Sequence, residues 1–315
     1  MNAMEWYWYV LIGLSIPIST LISASFCIYE KVFRGNSEQK DAIIEGARKD
    51  PSQIVQMRVR TYDNMLAYPH EQVSVQSKDG LTLRANWYPN DGAKKAAIVV
   101  HGWRSAPWWD YAGVFECLLE DGYAVLAVSQ RALYESDGRY VTYGVRESED
   151  LLSWIDVVFD RCGRDCSIAL MGVSMGAATV LLATGRALPD AVKCAVSDCS
   201  YSKASELFRE GAHGWLPITR RCVDLLSRIH TGVSYFPADC KKAVSRSHTP
   251  TFFVHGDADE VVPYRMMEEL YDACAAPKKR WTVSGAKHGE AYATDPEGYR
   301  AHILPFLDQY CSEGK

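Results

Sequence analysis

The 315-residue sequence lacks an excess of basic charge. Its 34 Lys and Arg stand against 39 Asp and Glu, a net charge of −5. That leaves no electrostatic footprint for nucleic acid. No Gly-Lys-Ser or Gly-Lys-Thr occurs, which excludes a phosphate-binding loop. No His-x-x-x-His or Glu-paired zinc pattern occurs either. The ten cysteines are scattered. The close pair Cys162 and Cys166 has no second pair downstream, so neither a metal nor another cofactor is expected. The thiols read as buried or reduced, as suits a cytosol-facing domain, with one or two disulfides in an extracytoplasmic domain as the alternative. Internal repeats, low-complexity tracts and Gly/Ser linkers are also missing.

What is present begins with a long uncharged run. From Trp6 to Tyr29 there is no charged residue, long enough to cross a hydrocarbon core as a helix. Pro17 bends such a helix without forbidding it. Trp6, Tyr7, Trp8 and Tyr9 form an interfacial aromatic belt. A cleaved signal peptide is the alternative, weakened by Glu5 and by the absence of Lys or Arg ahead of the run. Lys31 and Arg34 follow the span, which places what comes after it in the cytoplasm. The expected layout is a transmembrane or signal-anchor segment over 1–35, standing apart from the rest, and a helical lead-in over 36–70. A single α/β domain over 71–315 follows.

Within that domain the rhythm is regular. "QVSVQSKDGLTLRANWYP" reads as a hairpin about Asp79-Gly80. Short apolar runs at 96–100, 123–129, 167–173, 191–198, 249–256 and 280–285 alternate with helical candidates. Runs apolar on both faces are buried parallel strands. The alternation predicts a doubly wound, mostly parallel sheet. An insertion at about 199–248 reads as helical and as a cap over the carboxyl ends of the strands.

Ser174 sits in Gly172-Val173-Ser174-Met175-Gly176, directly after one of these strands and before a helix. Strand, sharp turn and helix form the setting of a nucleophile elbow. A hydroxyl nucleophile needs a base, and the base an orienting acid. Asp259 and His288 both follow later strand ends, in the order Ser, acid, His. Asp257 and Asp198 compete for the acid role, Asp198 with an N-cap or cap-anchoring role as its alternative. His101 and His255, each before a glycine at a strand end, read as hydrogen-bonded structural residues.

These motifs resemble those of α/β-hydrolase-fold serine hydrolases, in particular bacterial membrane-tethered esterases and serine aminopeptidase-like hydrolases. The carriers are His101-Gly102-Trp103, the Ser174 elbow, His255-Gly256-Asp257-Ala258-Asp259-Glu260-Val261-Val262-Pro263, and His288. The resemblance implies a Ser174–His288–Asp259 triad and an oxyanion hole from the Trp103 and Met175 amides. It implies a small-molecule carboxylic ester as substrate. Trp108 and Trp109, with Trp215 from the cap, are expected to line a pocket that favours short-to-medium acyl or aromatic groups. A peptidase or amidase, with Glu206, Arg209 or Glu210 holding a peptide terminus, is the closest alternative. Thioesterases and a non-catalytic binding protein are further ones. One departure stands out. Where the family carries Asp-x-Arg-Gly-x-Gly-x-Ser, this chain has Ser129, Ala132 and Tyr134 at the Asp and two Gly positions, which implies a differently shaped loop.

Overall fold

The computed structural model describes residues 3–36, 40–111, 113–210 and 217–312. Three helices precede the sheet: α1 (Ala3–Phe33), α2 (Lys40–Lys49) and α3 (Gln53–Ala67). The hairpin β1 (Glu71–Gln76) and β2 (Thr82–Tyr88) follows, its turn passing through Gly80 at φ 86°. Then come β3 (Lys95–Val100), α4 (Pro107–Asp110), α5 (Val114–Glu120), β4 (Tyr123–Ser129), α6 (Glu147–Cys162), β5 (Ser167–Val173), α7 (Met175–Thr184) and β6 (Val192–Asp198). Helices α8 (Ala204–Glu210), α9 (Pro217–Thr231) and α10 (Cys240–Val244) separate β6 from β7 (Thr251–Gly256). The chain continues through α11 (Arg265–Ala273), β8 (Lys278–Val283), α12 (Ala291–Thr294) and α13 (Pro296–Cys311).

The eight strands form one sheet in the order β1-β2-β4-β3-β5-β6-β7-β8. β2 pairs antiparallel with β1 and β4, and the other pairings are parallel. The central strands are buried on both faces because helices cover both. Val99, Val125, Met171 and Phe252 pack with Phe115 and Phe306, carried on α5 and α13. Their neighbours in the strands, Ile98, Leu126 and Leu170, turn the other way onto Leu151, Trp154 and Val180 of α6 and α7. The period of two along each strand is what divides one apolar run between two cores. Parallel strands aligned this way bring all their carboxyl ends, and the loops after them, to one rim.

Helix α1 does not stand apart. Its segment Tyr7–Phe33 is long and apolar enough to cross a membrane by length and composition. Gly13 to Thr20 are exposed, but Leu21 is half-buried, and Ser25, Tyr29 and Phe33, one helical turn apart, are buried against the domain. The Tyr29 ring stacks 5.4 Å from His230 of α9. Phe33 meets Tyr143, Phe208 and Tyr235 at 5.0, 5.8 and 5.4 Å. In the sequence Tyr29 ends the uncharged run and Phe33 lies just past it. Their spacing of four also makes a docking stripe, and the stripe is what the fold uses.

Candidate active site

Ser174 occupies the turn between β5 and α7 with φ 54° and ψ −119°. A non-glycine residue held there carries on the order of 1–3 kcal/mol of strain. The surrounding glycines make the turn sterically possible. A Cβ at Gly172 would overlap the Gly176 backbone, and one at Gly176 would overlap the carbonyls of Val100 and His101. The Ser174 N–H donates to the Asp198 carbonyl at 2.8 Å, tying the elbow to β6.

From the hydroxyl a chain of contacts runs outward. Ser174 Oγ lies 2.8 Å from His288 Nε2, and His288 Nδ1 lies 2.7 Å from Asp259 Oδ2. Asp259 Oδ1 accepts the N–H groups of Val261 and Val262 at 2.8 and 2.9 Å. Its Oδ2 also lies 3.1 Å from His255 Nε2. Burial alone would raise the Asp259 pKa, but the hydrogen bonds from His255 and His288 and the His288 charge hold it below the usual carboxylate range. Asp257, by contrast, accepts the Gly285 N–H at 2.6 Å and so clips the loop after β7 to the loop after β8.

Asp198 is neither an N-cap nor an anchor. It is buried at the end of β6, and its Oδ1 has no hydrogen-bond partner. Burial pushes its pKa up to about 7 against the opposing charges of His255 and His288. His101 is buried between the Gly102 carbonyl at Nδ1, 2.9 Å, and the Gln130 N–H at Nε2, 3.1 Å. Because Gln130 donates, Nε2 is the acceptor and Nδ1 carries the proton. Burial lowers its pKa and keeps this ring neutral. It braces the loop after β3.

That loop carries Trp103. Gly102 approaches Ser174 so closely that a Cβ there would lie 3.2 Å from the serine Cβ. Asp110, which sequence reasoning missed, fixes the loop by accepting the Gly102 N–H at 2.6 Å and the Ser105 hydroxyl at 2.7 Å. Met175 is the first residue of α7, so its N–H has no intrahelical acceptor. Both sequence-expected amides thus belong to segments that meet at Ser174.

Ser174 and His288 open onto a cavity of about 340 Å³, walled by Trp103, Trp108, Trp109 and Tyr134 among others. Trp108 is only 2 % exposed and packs edge-on to Trp109 at 5.4 Å, so it is core as much as wall. Trp215 lies outside the described residues. Glu210 is committed to Arg265 and Arg209 rather than to the cavity. Three further residues bear on the site, of which the sequence flagged only Tyr134, and that as a missing glycine. Cys199 brings its thiol within 4.8 Å of the Asp259 and His288 ligand atoms. Tyr134 adds a ring where the family pattern has glycine. Ala132 and Tyr134 nonetheless keep positive φ, 61° and 53°, so the backbone takes the left-handed conformation that glycine favours, and the departure lies in the side chains. The third, Arg58, enters from α3, outside the hydrolase motifs altogether.

A family model described as alpha/beta hydrolase fold matches residues 97–223, and one described as serine hydrolase (FSH1) matches residues 166–288. YqkD of Bacillus subtilis is 25% identical over 198 residues, 60% of this chain and 64% of its own length. The chain therefore spans less than two thirds of that relative. YfhR of Escherichia coli K12 is 26% identical over 249 residues, 75% of this chain and 80% of its own. Among solved structures, the Pyrococcus furiosus esterase Pf2001 superposes with a TM-score of 0.66 at 24% identity, covering 79% of this chain and 95% of that one. That last likeness shows the fold. The chain has the α/β-hydrolase fold, and the segment from Cys166 to His288, which holds Ser174, Asp259 and His288, matches the serine hydrolase model.

Proposed function

We propose that this protein is a membrane-anchored serine esterase. Ser174 is the nucleophile, and His288 accepts its proton through Nε2. Asp259 fixes the imidazole tautomer through Nδ1–H and stabilises the imidazolium. The Trp103 and Met175 amides stabilise the oxyanion, each amide contributing on the order of 10²–10³ in rate. His288 then returns the proton to the leaving alcohol, and water releases the acyl-enzyme. The observation that carries this reading is the unbroken contact from Ser174 Oγ through His288 to Asp259, at 2.8 and 2.7 Å. An ester is favoured over a peptide by two features. Glu210 is already ion-paired, and Asp110 is occupied by Gly102 and Ser105, which leaves neither to hold a peptide amine.

Helix α1 is the anchor in this reading. Lys31 and Arg34 after the span set the catalytic domain on the cytoplasmic side. The apolar stripe on α9, which packs beside α1, supports a domain seated on the bilayer: Ile218, Leu225 and Ile229 are 49, 57 and 66 % exposed.

The test is covalent labelling by a fluorophosphonate together with hydrolysis of p-nitrophenyl esters. Full-length protein in detergent should show both, and Ser174→Ala should show neither. Labelling that survives in Ser174→Ala removes the reading.

A further inference from the structure

Arg58 belongs to the lead-in helix α3, yet it forms part of the cavity wall that holds Ser174 and His288. It is 8 % exposed. Its Nη2 donates to the carbonyl of Gly289, the residue after His288, at 2.9 Å. Its guanidinium lies over the Trp109 ring, 4.6 Å from the centroid. Among the described residues no carboxylate comes within ion-pair distance of it. The nearby Asp110 acts on it only at longer range, with its two oxygens occupied by Gly102 and Ser105.

The same chain treats another buried arginine differently. Arg131 is held by Asp79 and by Asp150, at 2.8 and 2.6 Å, and these bonds raise its pKa against the effect of burial. Burial instead lowers the pKa of Arg58, with Asp110 and Glu290 opposing only in part. A desolvated guanidinium with donors to spare, on the wall of a reactive cavity, is suited to an anion presented from inside that cavity. One buried charge matches a monoanion. Arg104, at the rim, is exposed, stacks on Trp103 at 4.6 Å and donates to the Arg34 carbonyl, so its charge stays in solvent.

We propose that Arg58 is a carboxylate-binding subsite, and that the substrate is a small ester bearing a free carboxylate near the scissile carbonyl. The inference rests on the esterase reading and replaces the apolar preference expected from the tryptophans. The carboxylate pairs with the free edge of the guanidinium. The ester carbonyl then falls to Ser174, and no group is transferred beyond the acyl step already described.

The comparison that tests it uses full-length protein in detergent with two acyl esters, mono-p-nitrophenyl glutarate and p-nitrophenyl valerate, which differ in a terminal carboxylate. A second pair, 4-acetoxybenzoate and phenyl acetate, puts the carboxylate on the leaving group. In the favoured pair Arg58→Gln should lower kcat/KM for the charged ester at least about 100-fold, chiefly through KM. The neutral ester should change less than about threefold, and Arg58→Lys should recover part of the loss. Equal losses on charged and neutral esters in both pairs would make Arg58 a brace for the Gly289 loop and overturn the proposal. Calorimetry of monomethyl glutarate on the Ser174→Ala chain keeps the two readings separable. Binding that Arg58→Gln abolishes supports the subsite even if wild-type protein turns over no ester. Absence of binding removes the subsite whatever the turnover.

Discussion

Asp259 rather than Asp198 faces His288: its Oδ2 lies 2.7 Å from Nδ1, whereas the Asp198 carboxyl is buried at the end of the neighbouring strand with Oδ1 unpartnered. Two buried carboxyls at neighbouring strand ends thus have pKa values pushed in opposite directions. Three hydrogen bonds, with His255 Nε2 at 3.1 Å beside them, favour the ionised form of Asp259. Asp198 lacks such support, and burial keeps it largely protonated up to about pH 7.

Exchanging each for asparagine should separate the roles. Asp259→Asn presents an amide to Nδ1 and favours the wrong tautomer, so kcat should fall by about 10³–10⁴. Asp198→Asn should cost less than about tenfold. Steady-state kinetics on any ester the protein turns over decides this, and the reverse ranking would move the acid to β6.

The Asp198 carboxyl also makes a stability prediction. A carboxyl whose folded pKa lies above its unfolded value favours folding fully only below the unfolded pKa, near 4. That advantage is lost as pH rises to about 7 and is constant beyond. At about 1.4 kcal/mol per pKa unit, the loss is on the order of 2–4 kcal/mol. Asp198→Asn should therefore flatten the fall in Tm between pH 4.5 and 7.5 relative to wild type. Parallel Tm profiles for the two proteins would refute the assigned state.

Much of this site could be read in the sequence because its parts are local. A strand apolar on both faces, a Gly-x-Ser-x-Gly turn and a following helix are all set by neighbours in the chain. The order of Ser174, Asp259 and His288 along the rim follows from parallel strands. Arg58 and Asp110 were not legible in this way. Arg58 sits on the inward stripe of α3 with Val55, Tyr62 and Met65, and a charge on such a stripe was the available signal. Nothing local says that this stripe closes over Ser174. Tyr134 was seen only as a missing glycine, since a pattern of residue types does not say which way a side chain turns. The docking of Tyr29 and Phe33 was hidden because an apolar run long enough to span a membrane also satisfies a protein interface.

Tyr134 should control cavity width. Tyr134→Gly removes a ring from the wall and relieves a positive φ that tyrosine tolerates poorly. The variant should gain at least about fivefold in kcat/KM on a bulky acyl ester relative to an acetyl ester. An unchanged ratio would place the ring outside the path of the acyl group.

The last prediction joins α1 to α9. A helix entering the membrane at Tyr7 needs about 20 residues to cross the hydrocarbon, which brings it to the level of Phe26. Ser25 and Tyr29 are already buried against the domain there, and Tyr29 stacks on His230 near the end of α9. With α1 inserted in this way, the exposed stripe Ile218, Leu225 and Ile229 would lie beside the headgroup layer, next to Arg221, which suits anionic lipid. A photoreactive benzoylphenylalanine at position 229 of the full-length protein, reconstituted in vesicles containing phosphatidylglycerol, should form lipid adducts on irradiation. The same probe at Asp165, whose side chain is 72 % exposed, should not. Carbonate extraction of the same vesicles checks the anchor by itself. Protein retained by the membrane but crosslinked at 229 to a second copy of the chain would assign the stripe to self-association. Protein released by carbonate would remove the span.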